Sequence, residues 1–250
     1  MHTNRDTGNA GRPQRPTAPD ARQPRAAPSP ASEQPFGPDA ATILASEHWS
    51  LLSFRSLIWN EAMSRVTVFL SVLSAAIITL ALLANAADGS HTTALALVLL
   101  PVVLFLGIAT HLRVVQINTE EIEVMLAMNR LRRAYLEIAP GLEPYFTTGH
   151  HDDAPGLVAS FLLPRTPGRR AQWGYFLVNT PTVIATVDAA LAAAIVVLAA
   201  RQGDAPATVA AVTAAAAFLL VWAALVSWER HTLDPVAWTT PRFPTPPDHS

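Results

Sequence analysis

The sequence predicts an all-α polytopic membrane protein with four transmembrane helices in two hairpins, an amphipathic pre-helix and a cytoplasmic helical stalk. Of its 250 residues, 50% are hydrophobic and only 14% are charged, whereas a soluble domain usually carries about a quarter charged residues. Four almost uncharged stretches each reach about 20 residues, which is the helical length that crosses a hydrocarbon core of about 30 Å. Short polar joints connect the stretches within each pair. We therefore expect the four stretches to lie in a bilayer as two hairpins.

Composition also excludes several classes of protein. The net charge of −2 provides no basic surface, so we expect no nucleic-acid partner. The chain has no cysteine, which excludes disulfides, zinc–thiolate sites and a cysteine nucleophile. Glycine-rich phosphate loops, nucleophile elbows and zinc-protease motifs are missing as well. We therefore expect no cofactor and no enzymatic activity.

The two ends of the chain have the composition of disordered segments. Residues 1–38 are rich in proline and arginine and contain no leucine, isoleucine or valine, so they lack the apolar area that offsets the entropy of ordering. Residues 231–250 are also rich in proline. The sequence predicts a disordered arm and a disordered tail.

The segment 39–64 precedes the first span and has the pattern of an amphipathic helix. Leu44, Leu51 and Ile58 recur every seven residues, which places them on one helical stripe. Asp39 is a plausible N-terminal cap. Such a helix either lies in the inner membrane interface or packs on the cytoplasmic stalk.

Arginine positions predict the orientation of the two hairpins, residues 65–112 and 173–230. The short joints contain one arginine, Arg201, while the arm, the central segment and the tail contain the other sixteen basic residues. Basic residues concentrate on the cytoplasmic side. We expect a multi-pass protein of the plasma membrane with both termini in the cytoplasm.

After the second span the apolar spacing alternates between three and four residues, which is typical of a coiled coil. The pattern predicts a helical stalk over 113–138, followed by a cytoplasmic loop with a short helix over 139–172. Two partners are open for the apolar seam: the segment 39–64 of the same chain, or a second copy in a homo-oligomer. The seam residues expected to mediate association are Val124, Met128, Leu131, Tyr135 and Ile138.

Asp188 lies about 10 Å inside the third predicted span, at 1.5 Å per helical residue. A carboxylate at a helix centre costs roughly 2.5–3.5 kcal/mol on the insertion scale, so an intramembrane acid is a candidate ion or proton site. The alternative is a structural aspartic acid that is protonated or hydrogen-bonded to Thr182, Thr186 or a neighbouring helix. Asp188 is the candidate polar site of this sequence.

Two polar groups lie in the central segment. One group has the side-chain types of metal ligands: His150, His151 and Asp153. Adjacent side chains point in different directions, however, which argues against a shared metal ion. In a simpler interpretation, Asp152 or Asp153 caps a short helix over Ala154–Leu163. Basic side chains near the inner surface attract anionic lipid headgroups, although topology alone also places arginine there. The candidates for lipid contact are Arg130, Arg132 and Arg133.

Several short motifs resemble a family of uncharacterised four-helix integral membrane proteins of high-GC actinobacteria. The resemblance covers about Glu47 to His231 and leaves both tails outside. It implies four spanning helices and no established activity, so no functional residue is carried over from it. The residues that carry it are Ser46–Leu52, Arg55–Leu57, Trp59–Glu61, Met128–Arg132, Ala134–Glu137 and His151–Asp153.

Three functional hypotheses follow, from different classes. The first is a non-enzymatic scaffold or interaction protein that self-associates through its cytoplasmic helix, because the seam is long and no catalytic constellation is visible. The second is an oligomeric ion or proton pathway that uses Asp188. The third, with the least support, is a metal-dependent membrane enzyme that uses His150, His151 and Asp153.

Overall fold

The chain is described by a computed structural model, which covers residues 36–86, 89–161, 179–233 and 240–247. Within these ranges the protein is helical and has no strand. The predicted disorder of the arm falls almost entirely on residues 1–35, which lie outside the described residues, as do 162–178 of the central segment. The helices are α1 (Ala40–Ala86), α2 (Gly89–Ile138), a 3-10 helix (Pro140–Tyr145), α3 (Ala154–Ser160), α4 (Thr180–Gln202) and α5 (Ala207–Leu233).

Four helices, α1, α2, α4 and α5, are long and apolar enough to cross a membrane. Their apolar side chains point outward in large numbers, as Leu82, Phe105 and Leu220 show, each more than 60% exposed. A helix that is hydrophobic on its outer face suits lipid rather than water. The prediction of an all-α chain with four helices able to span a membrane is confirmed for the described residues.

Helix α1 is a single element of 47 residues that contains both the amphipathic segment and the first span. Its first half packs on the second half of α2: Ile58 and Ala62 form a buried cluster with Ile117. Two arginine–carboxylate pairs flank this cluster, Arg55–Glu121 at 2.9 Å and Arg113–Glu61 at 3.0 Å. The sequence left two positions open for the amphipathic segment, in the membrane interface or against the stalk helix. In the structure it packs against the stalk helix.

Helix α2 runs for 50 residues from the second apolar stretch to the end of the predicted stalk. Val124 and Met128 of the seam are buried, Leu131 and Tyr135 are partly buried, and Ile138 is exposed. The His48 ring of α1 lies with its centroid 6.3 Å from that of Tyr135. The seam is thus largely covered within one chain.

Helix α2 is also the central element of the apolar region, since it contacts α1, α4 and α5.

Helix α4 begins with Pro181 in its first turn, and the Asn179 side chain caps it by accepting a hydrogen bond from the Thr182 N–H. Proline at this place and a capping asparagine are both typical of helix N-termini. Between α4 and α5, Asp204 has a φ of 53°, a left-handed conformation that aspartate tolerates.

The central segment confirms the predicted cap. Asp153 precedes α3 and accepts a hydrogen bond of 2.9 Å from the Gly156 N–H. The helix ends at Ser160, earlier than the expected end at Leu163, which lies outside the described residues.

The tail, residues 231–250, differs from the expected disorder in its described part. Residues 240–247 lie against the segment before α3, where the Asp152 carboxylate accepts hydrogen bonds from the N–H groups of Arg242 and Phe243. Composition predicted disorder because the segment has little to bury, but these hydrogen bonds use backbone groups that every residue type except proline supplies. The first three tail residues belong to α5.

Candidate intramembrane polar site

Asp188 lies on α4 where this helix meets α1 and α2. The side chain is fully buried, and neither carboxyl oxygen has a hydrogen-bond partner among the described residues. A buried carboxylate without a partner is costly, so the carboxyl group is either protonated or must find a partner when it ionises. Thr182 and Thr186, the expected structural partners, do not hydrogen-bond to it: Thr186 donates to the Thr182 carbonyl and Thr182 donates to Glu229 instead.

Gly107 of α2 makes room for the Asp188 carboxyl group. A Cβ atom at position 107 would lie 1.8 Å from Asp188 Oδ1 and 2.8 Å from Phe69 Cε2. Both distances are far below van der Waals contact, so only glycine allows α2 to approach α4 and Phe69 of α1 this closely. Three helices therefore meet at the Asp188 carboxyl group.

His111 lies one turn after Gly107 on α2 and is also fully buried. Its Nδ1 is 3.0 Å from the Pro181 carbonyl oxygen of α4, and its Nε2 is 3.3 Å from the Leu225 carbonyl oxygen of α5. A neutral imidazole has one N–H donor and an imidazolium has two. Both carbonyl contacts become hydrogen bonds only when the ring carries two protons.

Glu229 of α5 is the third fully buried ionisable residue of this region. Its carboxylate accepts a hydrogen bond of 2.8 Å from Asn179 Nδ2 and one of 3.3 Å from Thr182 Oγ1. Glu229 follows Leu225 by one turn, so it lies next to the carbonyl that contacts His111. The position at the N-terminus of α4 also favours negative charge.

The three residues form a series along the bundle, which we call the polar series: Glu229, His111 and Asp188. Glu229 is on α5 and lies beside the first turn of α4, where it contacts Asn179 and Thr182. Asp188 lies roughly two turns further along α4. Apolar side chains lie on both sides of Asp188 in one buried cluster, with Ile184 before it and Leu191 after it on α4. The three polar residues are therefore set within an otherwise apolar interior.

Sequence reasoning found Asp188 and missed His111 and Glu229. The apolar stretches were defined by the absence of charged residues, and histidine is counted as uncharged at neutral pH. His111 therefore falls within a stretch without being noticed. Glu229 directly follows the fourth apolar stretch, where a charged residue is expected at the boundary of a span. A search for any ionisable residue within one turn of a span boundary would have found both.

The other candidate residues lie in the second half of α2 and in the segment that follows it. Arg130 donates to Asp152 at 2.7 Å, and Arg133 donates to Glu137 at 3.2 Å. Arg132 donates to Asn129 Oδ1 at 2.7 Å, and burial lowers its pKa. Arg130 also lies about 25 Å further along α2 than Arg113, at 1.5 Å per residue. Their described partners are protein atoms, and contact with lipid headgroups stays a prediction.

The histidine–aspartate segment holds the tail. Burial opposes ionisation of Asp152, but hydrogen bonds from Arg130 and from the N–H groups of Phe243 and Arg242 outweigh it and hold the pKa below its ordinary value. The pKa of Asp153 is also lowered, because hydrogen bonds from Thr245 and Gly156 outweigh its burial. Across the described ranges, no three histidine or acidic side chains are arranged to hold a metal ion.

Comparison of the chain with protein-family models, curated proteins and solved structures finds no significant match. The resemblance to actinobacterial four-helix membrane proteins stays a prediction.

Proposed function

We propose that α1, α2, α4 and α5 span the plasma membrane as two hairpins, with both termini and the stalk in the cytoplasm. The packing of α1 on α2 and of α4 on α5 supports the pairing. The distribution of arginine supports the orientation, because sixteen of the seventeen basic residues lie outside the two short joints.

Within that topology, the function that the geometry supports best is an ion or proton pathway centred on Asp188. The observation that carries it is a fully buried carboxyl group whose two oxygens have no hydrogen-bond partner in the part of the chain that the structure describes. A purely structural aspartic acid is expected to use its oxygens in hydrogen bonds, since an unmade buried bond costs about 1–3 kcal/mol. The seam, which supported the scaffold hypothesis, is largely covered by the same chain and so supports it less.

The test is ion flux through the purified protein in liposomes, for the wild type and Asp188→Asn. Flux that disappears in Asp188→Asn is expected, because an amide cannot gain or lose a proton at neutral pH and carries no charge. The matched control is Asp204→Asn, the same change at an exposed position, which should leave flux unchanged. Folded wild-type protein that carries no ion would contradict the proposal.

A second candidate function, a non-enzymatic scaffold that self-associates through its cytoplasmic part, is favoured by one separate observation. The extramembrane half of α1 exposes large apolar side chains, among them Trp49 at 68%, Leu57 at 66% and Trp59 at 54%. Exposed aromatic side chains outside a membrane mark interaction surfaces. Here the partner is a second copy, in contact with this face rather than with the buried seam.

This second candidate predicts the mass of the particle in detergent. Trp49→Ser combined with Trp59→Ser should shift an oligomer toward the monomer, measured by light scattering behind size exclusion. Tyr145→Ser removes an aromatic ring that is more exposed than either tryptophan, from the 3-10 helix, and should leave the mass unchanged. A wild type that is monomeric at all concentrations removes the scaffold candidate.

A further inference from the structure

We propose that two copies of the chain pair through the first half of α1 as a parallel coiled coil. The inference rests on the scaffold candidate of the proposed function, and it adds the residues, the direction and the register of the contact. The contact runs along one uncharged line of side chains, the α1 stripe, which consists of Ala45, Trp49, Leu52, Ser56, Trp59 and Met63.

The spacing of the α1 stripe indicates that a helix covers it. Its members are four and three residues apart in strict alternation, which is an average of 3.5 residues. A straight α-helix drifts by about 20° per heptad from such a repeat, and two helices that wind around each other remove the drift. Contact with lipid or with a loop does not require this spacing.

The α1 stripe is largely uncovered by the described residues of its own chain. Trp49 is 68% exposed, Trp59 is 54% exposed and Leu52 is 39% exposed. Helix α2 packs on a different side of α1, where Ile58 is buried. The side chain of Met63, the last member of the stripe, packs against this buried cluster, so a helix on the stripe would extend an existing core.

Charge distinguishes the α1 stripe from the other exposed side of the helix. A second line with the same spacing contains two glutamates, and two copies that met there would bring like charges together. The α1 stripe has no charged member, and the flanking Arg55 is paired with Glu121 at 2.9 Å. The second line consists of Ile43, Glu47, Ser50, Phe54, Leu57 and Glu61.

The continuity of α1 makes a second copy the fitting partner. The helix runs without a break from the stripe into the first apolar stretch, where Leu70 and Ile77 continue the spacing and are 46% and 55% exposed. In the proposed topology the membrane holds α1 of every copy at the same depth and in the same direction. A two-fold axis along the membrane normal then brings each member of the stripe to the same residue of the second copy.

Disulfide cross-linking tests this pairing in the full-length protein, because the chain has no cysteine. Ser56→Cys lies in the middle of the α1 stripe at an exposed position. In a parallel pair the two introduced residues face each other across the axis, within the Cα separation of about 4.4–6.8 Å that a disulfide needs. Copper phenanthroline added to membranes should therefore convert this variant into a disulfide-linked dimer.

Ser50→Cys is the matched control, since it makes the same change at an exposed position in the middle of the second line. It should give at least about tenfold less dimer than Ser56→Cys, because its sulfur atoms point away from the axis. Equal cross-linking of the two variants would reveal random collisions and overturn the pairing. A cross-linked product of Ser56→Cys with the mass of another protein would overturn the second copy as the partner.

A change of charge provides a second test that does not depend on disulfide formation. Ser56→Glu places a carboxylate in the middle of the stripe in both copies, and the particle mass in detergent should fall to that of the monomer. Ser50→Glu should leave the mass unchanged, and both variants should keep the melting temperature because both positions are exposed. An oligomer that neither Ser56→Glu nor Ser56→Cys affects would overturn the α1 stripe and keep the scaffold candidate, whereas a monomeric wild type would overturn both.

Discussion

At the scale of single residues, the contact between Gly107 and Asp188 fixes the distance between α2 and α4. An added Cβ at position 107 would overlap Asp188 Oδ1 and the Phe69 ring together. Because Phe69 and Asp188 are both fully buried, neither can turn outward to relieve the overlap. The helices would have to separate.

We therefore expect Gly107→Ala to destabilise the protein by about 1–3 kcal/mol, the usual cost of overpacking a filled interior. The melting temperature in detergent is the measurement. Gly141→Ala is the matched control, since no atom lies within 4 Å of a Cβ built there.

The double variant Gly107→Ala, Asp188→Ala checks the cause. Removal of the carboxyl group should restore part of the lost melting temperature, because the two substitutions act on one contact and so are not additive. Additive losses would mean that Asp188 is not what the new methyl group meets.

At the scale of elements, the pairing of α1 with the second half of α2 depends on a small buried cluster. Ile117 packs there between Ile58 and Ala62. Ile117→Ala should cost about 2–5 kcal/mol, since a buried isoleucine is truncated in a filled interior. Ile138→Ala, the same change at the exposed end of α2, should change stability by no more than about 0.5 kcal/mol. Equal melting temperatures for the two variants would show that α1 does not cover the stalk.

The bound tail provides a prediction about pH. The pKa values of Asp152 and Asp153 are lowered from an ordinary 3.8, so both carboxylates stabilise the docked tail fully above about pH 4. This stabilisation is lost as the pH falls through the lowered values. Fluorescence anisotropy of a dye on Pro247→Cys should therefore be constant from pH 7 to 4 and fall below that.

Asp152→Asn should lower the anisotropy already at pH 7. It replaces the carboxylate that accepts hydrogen bonds from the N–H groups of Arg242 and Phe243 by a neutral amide. Glu143→Gln, an exposed change in the neighbouring 3-10 helix, is the control. Release of the wild-type tail between pH 5 and 7 would contradict the carboxylate explanation.

These elements also show where sequence reasoning ends. The cap at Asp153 could be predicted because capping depends on a local side chain and the next turn. The docking of residues 240–247 could not, since the groups that Asp152 binds are backbone N–H groups without a sequence signature. Asp188 was visible as one charge in an apolar run, whereas the grouping of His111 with Glu229 depends on how α2, α4 and α5 pack.

At the scale of the whole molecule, the absence of cysteine makes the membrane topology directly measurable. Single cysteines introduced at Ser53, Thr147 and Gln202 occupy exposed positions at the stalk and at the short joint after α4. A membrane-impermeant maleimide added outside sealed cells should label Gln202→Cys and label the other two only after permeabilisation. Labelling of all three from one side would contradict the two-hairpin topology.

Apolar length alone predicted the four candidate spans, because the bilayer imposes the same requirement on every helix that crosses it. The partner of the seam was not predictable in this way. Val124 and Met128 have the spacing of an intermolecular coiled coil, and only the fold shows that they are buried within one chain.

The continuity of α2 has a mechanical consequence. The same unbroken helix carries Gly107 and His111 inside the bundle and Met128 in the stalk. The part of α2 beyond Gly107 is about 47 Å long at 1.5 Å per residue. A tilt of about 5° around Gly107 would thus displace Ile138 by ~4 Å. Because Ile117 in this part of α2 packs on Ile58 and Ala62 of α1, α1 would have to move as well, so a small change of packing at Gly107 becomes a larger displacement of the paired helices.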